Sequence, residues 1–197
     1  MVSHPLCVAS LALLAPFVAS QDQAALSRSD KQLNLVLHPG SLSEAMGKHL
    51  LEQCWQAAHS VPDFMKKDRV QIKKPLSVEV YAEKDAYLAV EKQRSPHAFT
   101  SDEFCDAENH TAHIALLPLP EKSYEVLGLP PKTRNSIIRL TAKLVAMQHD
   151  GCKSDAWLAD VFSFGVLDEI TNQKREWGKD PVFDQRALIF KARTETG

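Results

Sequence analysis

Three short stretches with the character of β-strands, separated by stretches with helical periodicity, constrain the fold of this chain most. They are Leu33–His38 (LNLVLH), Leu76–Tyr81 (LSVEVY) and Thr111–Leu117 (TAHIALL). Alternation of apolar and polar residues, clearest in the first stretch, is typical of a strand buried on one face. The order along the chain is strand, helix, strand, helix, strand and then helices alone. It predicts an α+β fold, with a small mixed β-sheet and flanking helices followed by a helical half.

The first two helices are predicted from a cap and from periodicity. The pattern Ser41–Glu44 resembles a capping box and indicates a helix start. The helix that follows is expected to bury one stripe, which comprises Leu42, Met46, Leu50, Cys54 and Ala57. The basic segment Met65–Lys74 is predicted to be a solvated loop, and Glu83–Gln93 a short helix. The polar segment Ser95–Asn109 is expected to be irregular.

The remaining helices are predicted from breakers and caps in the last third of the chain. Pro130 and Pro131 open a helix expected over Thr133–His149. Ser154 or Asp155 caps another that runs to about Gln173, and a last helix is expected over Asp184–Lys191.

The first twenty residues contain no Asp, Glu, Lys or Arg and are predicted to be an export signal. The apolar run Leu6–Ala19 is shorter than the roughly 20 residues that a membrane-spanning helix needs. Small residues at Val18–Ser20 suit cleavage before Gln21. Residues 1–20 are therefore expected to be a signal peptide and residues 21–197 a single domain, secreted or located in the periplasm or cell envelope. The alternative is an uncleaved anchor, favoured by the lack of Lys and Arg in the leader; after cleavage no transmembrane span is expected.

Charge and cysteine content exclude several classes of protein. The formal net charge is −2, so no basic surface argues for nucleic-acid binding. Four cysteines are too few for a disulfide scaffold, and no Cys-x-x-Cys spacing indicates a structural zinc site. Cys54, Cys105 and Cys152 remain after cleavage. One disulfide with a leftover thiol and three buried thiols are both compatible with that number.

Five quoted segments together resemble the peptidase-MA-like domains of bacteria, exported gluzincin-type metallopeptidase relatives of the planctomycete type and of unknown function. The segments are LVLHPGSLSEAMGKHLLEQCWQAAHSVPDFM, PLSVEVYAEKDAYLAVE, AHIALLPLP, GLPPKTRNSIIRLTAKLV and DAWLADVFSFGVLDEI, and the resemblance covers roughly residues 33–169. The resemblance implies a gluzincin-like, or zincin-like, fold. In that family the helix after the Pro-Pro segment carries His-Glu-x-x-His, and a later Trp-Leu-Ala-Glu-Gly supplies the third zinc ligand. Trp157 lies in the matching segment and is expected to pack into the core.

This chain departs from the family at every position that would hold zinc. Arg139 and Lys143 stand where the resemblance places the two histidines, and Leu140 where it places the general base. Asp160 replaces the third-ligand glutamate. Protonated Arg and Lys offer no lone pair to a metal, and Leu cannot accept a proton from water. Arg139 and Lys143 are four residues apart, and the geometry that the resemblance implies would let them reach Asp160, so a salt bridge is expected in place of the metal; the alternative is that both cations point to solvent.

The resemblance and these departures together suggest an exported pseudoenzyme with a binding or scaffolding role, without catalytic residues or cofactor. Its partner would be a peptide or an envelope protein; a peptide would add a strand to an exposed sheet edge. The alternative is a zinc-dependent peptidase with unusual ligands, drawn from His110, His113, His149, Asp160 and Glu169. A third reading is a truncated paralogue without a selected function.

Overall fold

The computed structural model describes residues 24–67, 70–95, 101–117, 128–149, 152 and 156–172. Within these ranges the chain forms an α+β fold, with a five-stranded mixed sheet and four helices. In chain order the elements are β1 (Leu26–Ser29), β2 (Leu33–His38), α1 (Glu44–Lys67), β3 (Leu76–Tyr81), α2 (Lys84–Arg94), β4 (Glu103–Asp106), β5 (Thr111–Ala115), α3 (Pro131–Ala146) and α4 (Ala156–Thr171). The predicted fold class is confirmed at this level.

The sheet has the order β1-β2-β3-β5-β4, and its three central strands are parallel. Parallel neighbours require crossover connections. Helix α1 connects β2 to β3, and the segment containing α2 and β4 connects β3 to β5. The outer strands β1 and β4 pair antiparallel with β2 and β5. The sheet is therefore mixed, as expected.

The three predicted strands are present, but two strands were not predicted. The expectation that Ser95–Asn109 is irregular is wrong, because Glu103–Asp106 forms β4. Strand β1 precedes the first predicted strand, and the carboxylate of Asp30 accepts backbone hydrogen bonds from Gln32 and Leu33 in the turn between them. Both outer strands have only four residues, too few for a clear period-two pattern.

One face of the sheet carries the hydrophobic core. Alternate residues of β2 and β3 point to this face; they are Leu33, Leu35, Leu37, Leu76, Val78 and Val80, each at most 3% exposed. Helices α1 and α3 pack against them, and α4 packs on α3. The predicted helical half therefore covers the sheet rather than standing apart from it. The opposite face is covered in part by α2.

Helix α1 and helix α3 have bounds that differ from the predicted ones. Helix α1 is capped by Ser43, whose hydroxyl accepts the backbone N–H of Met46, so the Ser41–Glu44 capping box is wrong. The N–H of Ser41 instead donates to the carboxylate of Glu83. Helix α1 includes Met65–Lys67, which were assigned to the loop that follows. Helix α3 begins at Pro131, because proline is tolerated in the first helical turn.

Several sequence predictions fall outside the described residues. They are the signal peptide over residues 1–20, the cap at 154–155 and the helix over 184–191. Of the helices that the structure describes, none is both long enough and apolar enough to cross a membrane.

Candidate functional site

Helices α3 and α4 bring two cations to one carboxylate. Arg139 and Lys143 lie four residues apart on α3 and so share a face of that helix. Lys143 Nζ lies 2.7 Å from Asp160 Oδ1 on α4, and Arg139 Nη1 lies 3.6 Å from the same oxygen. The predicted salt bridge between this pair and Asp160 is confirmed.

A second carboxylate, from β4, completes this cluster. Arg139 Nη2 forms an ion pair with Glu103 Oε1, and the guanidinium lies 5.0 Å from the centre of the Phe164 ring on α4. Arg139 is therefore held by two carboxylates and by a cation–π contact. We call Glu103, Arg139, Lys143 and Asp160 the ion-pair cluster. Glu103 was missed because its segment was expected to be irregular.

The ion-pair cluster is partly withdrawn from water. The side chains of Arg139 and Lys143 are 14% and 19% exposed, whereas that of Asp160 is 35% exposed. Charges in such a setting interact more strongly than on an open surface, because solvent screens them less. Leu140, which follows Arg139, is buried in the core and is not part of the cluster.

Cys105 lies beside the cluster but is not a reactive thiol. Its Sγ approaches the carbonyl oxygen of Leu140 at 4.0 Å. Burial raises the pKa of the Cys105 thiol to about 12, and the nearby Lys143 and Arg139 lower that pKa only in part. The thiol is therefore protonated at neutral pH. Cys54 and Cys152 are buried, and Cys54, Cys105 and Cys152 form no disulfide with one another.

The ion-pair cluster does not fit a zinc ion. A catalytic zinc needs about three neutral or anionic ligands and an open position for water. The positions that the resemblance assigns to the histidines hold Arg139 and Lys143, whose protonated groups have no lone pair to donate. Both cations face Asp160, which stands at the third-ligand position, so its carboxylate is paired with them and is not open to a divalent cation.

The candidate ligands of the alternative reading are not gathered into one site. His110 lies in the turn before β5 with a φ of 52°, and His113 lies on β5. His149 follows α3, is buried and has no hydrogen-bond partner for either ring nitrogen among the described residues. Glu169 is exposed near the end of α4. Across the described ranges no group of three or more His, Cys, Asp or Glu side chains is arranged to hold a metal ion.

A second polar cluster lies on the opposite face of the sheet and joins its three parallel strands. Glu79 Oε2 accepts hydrogen bonds from Tyr81 OH at 2.7 Å and from His38 Nε2 at 3.0 Å. His113 Nδ1 lies 2.9 Å from Tyr81 OH and 3.6 Å from Glu79 Oε2. Since the hydroxyl proton goes to Glu79, His113 donates from Nδ1 to the tyrosine oxygen. We call these four residues the histidine cluster.

The environment of the histidine cluster shifts its pKa values in opposite directions. The hydrogen bond from His38 is the main reason that the pKa of Glu79 falls to about 2, against the opposing effect of burial. Burial and the neighbouring Glu79 raise the pKa of Tyr81 strongly. Burial lowers the pKa of His113, and the nearby Glu79 and Asp106 oppose that effect. The cluster is therefore a carboxylate held ionised beside a neutral, buried imidazole.

Strand β4 borders the ion-pair cluster and forms one edge of the described sheet. In an antiparallel pair of strands, every second residue exchanges backbone hydrogen bonds with its partner. The N–H of Ala115 on β5 donates to the carbonyl of Asp102, so the β4 residues that bond to β5 are Phe104 and Asp106. The backbone groups of Glu103 and Cys105 then point away from β5, and the carbonyl of Glu103 accepts the hydroxyl of Ser101 instead. The outward N–H groups are those that a further strand would need.

Trp157, expected to pack into the core, is 44% exposed, so that expectation is wrong. It lies three residues before Asp160, about one turn along α4, and α4 buries its other face, with Ala159 and Phe162, against the core. A helix that packs on one side leaves the residues of its other side to solvent.

Comparison of the chain with models of protein families, with curated proteins and with solved structures found no match.

Proposed function

We propose that this chain is an exported, metallopeptidase-like domain that does not hydrolyse peptides and instead binds an extended peptide segment, as found in a small peptide or an envelope protein. The observation that carries the proposal is the ion-pair cluster, in which Arg139 and Lys143 meet at Asp160. The uncharged leader over residues 1–20 supports export.

The absence of catalysis is inferred from the chemistry of the groups present. Arg139 cannot lose its proton at any physiological pH, so it can act neither as a metal ligand nor as a general base. Lys143 is engaged with Asp160. Leu140, at the position that the resemblance gives to the general base, is buried and apolar. A fold analogy alone does not assign a function, so these side chains carry the argument.

Binding is inferred from the edge strand and its neighbours. A peptide that adds a strand to β4 would gain main-chain hydrogen bonds from the outward N–H groups of Glu103 and Cys105. Its side chains on one face would lie near the ion-pair cluster. Trp157, 44% exposed, lies on the same helix as Asp160 and about one turn before it, and tryptophan is among the residues enriched at binding hot spots, so it is a second candidate anchor.

Metal analysis of the purified protein tests the first half of the proposal. After dialysis against zinc and then against buffer, we expect no stoichiometric zinc and no peptidase activity. The matched variant carries Arg139→His, Lys143→His and Asp160→Glu together, which places the donor set of the family on the same helices and leaves buried Leu140 unchanged. Stoichiometric zinc in the unaltered chain, with peptidase activity that a chelator abolishes, would overturn the proposal.

A backbone substitution tests the second half. Cys105→Pro removes an outward N–H group without removing a hydrogen bond to β5, and Cys105→Ala keeps that group as the matched control. Peptides selected from a random phage-displayed library on the unaltered protein should bind Cys105→Ala normally and Cys105→Pro at least tenfold more weakly. Equal affinities for both variants would exclude strand addition at β4.

A further inference from the structure

Strand β4 connects the two clusters, since its successive side chains point to opposite faces of the sheet. Glu103 points to the core face and pairs with Arg139. Phe104 points to the other face and stacks on the ring of His113, with centroids 4.6 Å apart and planes 18° apart. A change at His113 therefore acts directly on the strand that holds Glu103.

Helix α2 rests on the same group of rings. Tyr87, which is fully buried, contacts Tyr81 edge-on at 5.8 Å and lies 5.9 Å from Phe104. His113 is 5% exposed and donates to the hydroxyl of Tyr81. Both α2 and β4 therefore pack on the histidine cluster. Of its two histidines, His113 is the more buried, with a side chain 7% exposed against 31% for His38.

We propose that the histidine cluster is an acid-sensitive latch: protonation of buried His113 releases β4 and α2 from the sheet while α1 and α3 stay packed. Charge in a site of this burial is costly, and the locally opened state removes that cost by hydrating the imidazolium. Helices α1 and α3 pack on the other face of the sheet, and the release of β4 therefore also breaks the Glu103–Arg139 ion pair that joins β4 to α3.

The charged groups around His113 determine the direction of the response. Glu79 on β3 and Asp106 on β4 favour the imidazolium, whereas Arg94 on α2 and His38 on β2 oppose it together with burial. Tyr81, Tyr87 and Glu91 are further titratable groups on this face, and the Glu91 carboxylate, 4% exposed on α2, accepts hydrogen bonds from the hydroxyl of Tyr87 and from Ser101. The net effect lowers the pKa of His113 below its ordinary value of 6.5. In the opened state His113 has its ordinary pKa, so this state binds more protons than the closed state as the pH falls. Acid therefore favours opening.

Hydrogen exchange of the intact chain at several pH values tests the latch. Linkage predicts that protection factors, corrected for intrinsic rates, fall by up to about tenfold between pH 7.5 and 5.5. The fall should be confined to amides of Lys84–Arg94 and to those that join β4 to β5, which are Phe104, Asp106, Thr111, His113 and Ala115, while those of α3 stay protected. An equal fall in α3 would show global unfolding and overturn the proposal, as would no fall in wild type.

Two variants of His113 separate titration from packing. His113→Phe keeps the stacked ring and His113→Asn keeps a donor for Tyr81, and neither titrates. Both should lose the acid-dependent part of the exchange, whereas the control His110→Asn should keep it, since Asn tolerates the positive φ of that turn. If both His113 variants fail to fold, NMR titration of His113 in wild type decides, because the midpoint of opening must track the titration of that ring. A midpoint that follows another histidine, or an acid response retained in a folded His113 variant, would refute the latch.

Discussion

Removing the carboxylate of Asp160 is expected to destabilise the protein measurably, although the position is partly exposed. Lys143 has Asp160 as its only ion-pair partner among the described residues, whereas Arg139 keeps Glu103. Breaking a fully buried pair costs about 3–5 kcal/mol, and an exposed pair contributes about 0–1 kcal/mol. Asp160 is 35% exposed and Lys143 is 19% exposed, so this pair lies between the two cases. We expect Asp160→Asn to lower the free energy of unfolding by about 1–3 kcal/mol.

A double-mutant cycle measured by urea unfolding isolates the interaction between these two residues. Lys143→Met keeps the apolar stem and removes the charge that Asp160→Asn would leave unpaired. The double variant should therefore lose less free energy of unfolding than the sum of the single variants, with a coupling of about 1 kcal/mol. The comparison requires equal m-values, so that the midpoints report stability alone.

An exposed ion pair provides the control for this cycle. Lys48→Met removes the partner of Glu44 on the first turns of α1, where the two side chains are 65% and 73% exposed. Its unfolding curve should match that of the unaltered protein. A loss below about 0.5 kcal/mol for Asp160→Asn, together with no coupling to Lys143→Met, would refute the claim that burial strengthens the cluster.

Three further predictions concern other parts of the described chain. Gln148 is 4% exposed; its side chain accepts hydrogen bonds from the backbone N–H groups of Lys73 and Lys74 and donates to the carbonyl of Lys74. Gln148→Ala should therefore lower the free energy of unfolding in urea by about 2–4 kcal/mol. A loss below about 1 kcal/mol would contradict this role. The pKa of Glu79 falls from 4.5 to about 2 on folding, so its contribution to stability is present above pH 4.5 and is lost as the pH drops towards 2. Glu79→Gln should remove that part of the pH dependence of urea unfolding. An unchanged pH dependence would argue against this contribution of Glu79. Burial raises the pKa of the Cys54 thiol to about 12, so Cys54 should resist Ellman's reagent at pH 8 in the native protein and react in urea, whereas rapid native labelling of Cys54 would contradict its burial.

Local periodicity accounts for the parts of the fold that the sequence predicted. The alternation in Leu33–His38 and Leu76–Tyr81 reflects strands with one face in the core, a pattern carried by neighbouring residues alone. The bounds of α1 were predicted less well, because the choice between Ser41 and Ser43 as the cap depends on Glu83, which is distant in the sequence. Strand β4 forms because it pairs with β5, and its four residues are too few for periodicity to predict a strand.

The sequence by itself determined that Arg139 and Lys143 share one face of a helix, since that follows from their spacing of four residues. Only the tertiary structure decided that Glu103 joins them, and that Glu79 and His113 meet across parallel strands. The physical reason is that helical neighbours are fixed by local geometry, whereas neighbours across a sheet are fixed by strand order and register. Those in turn are set by how the whole core packs.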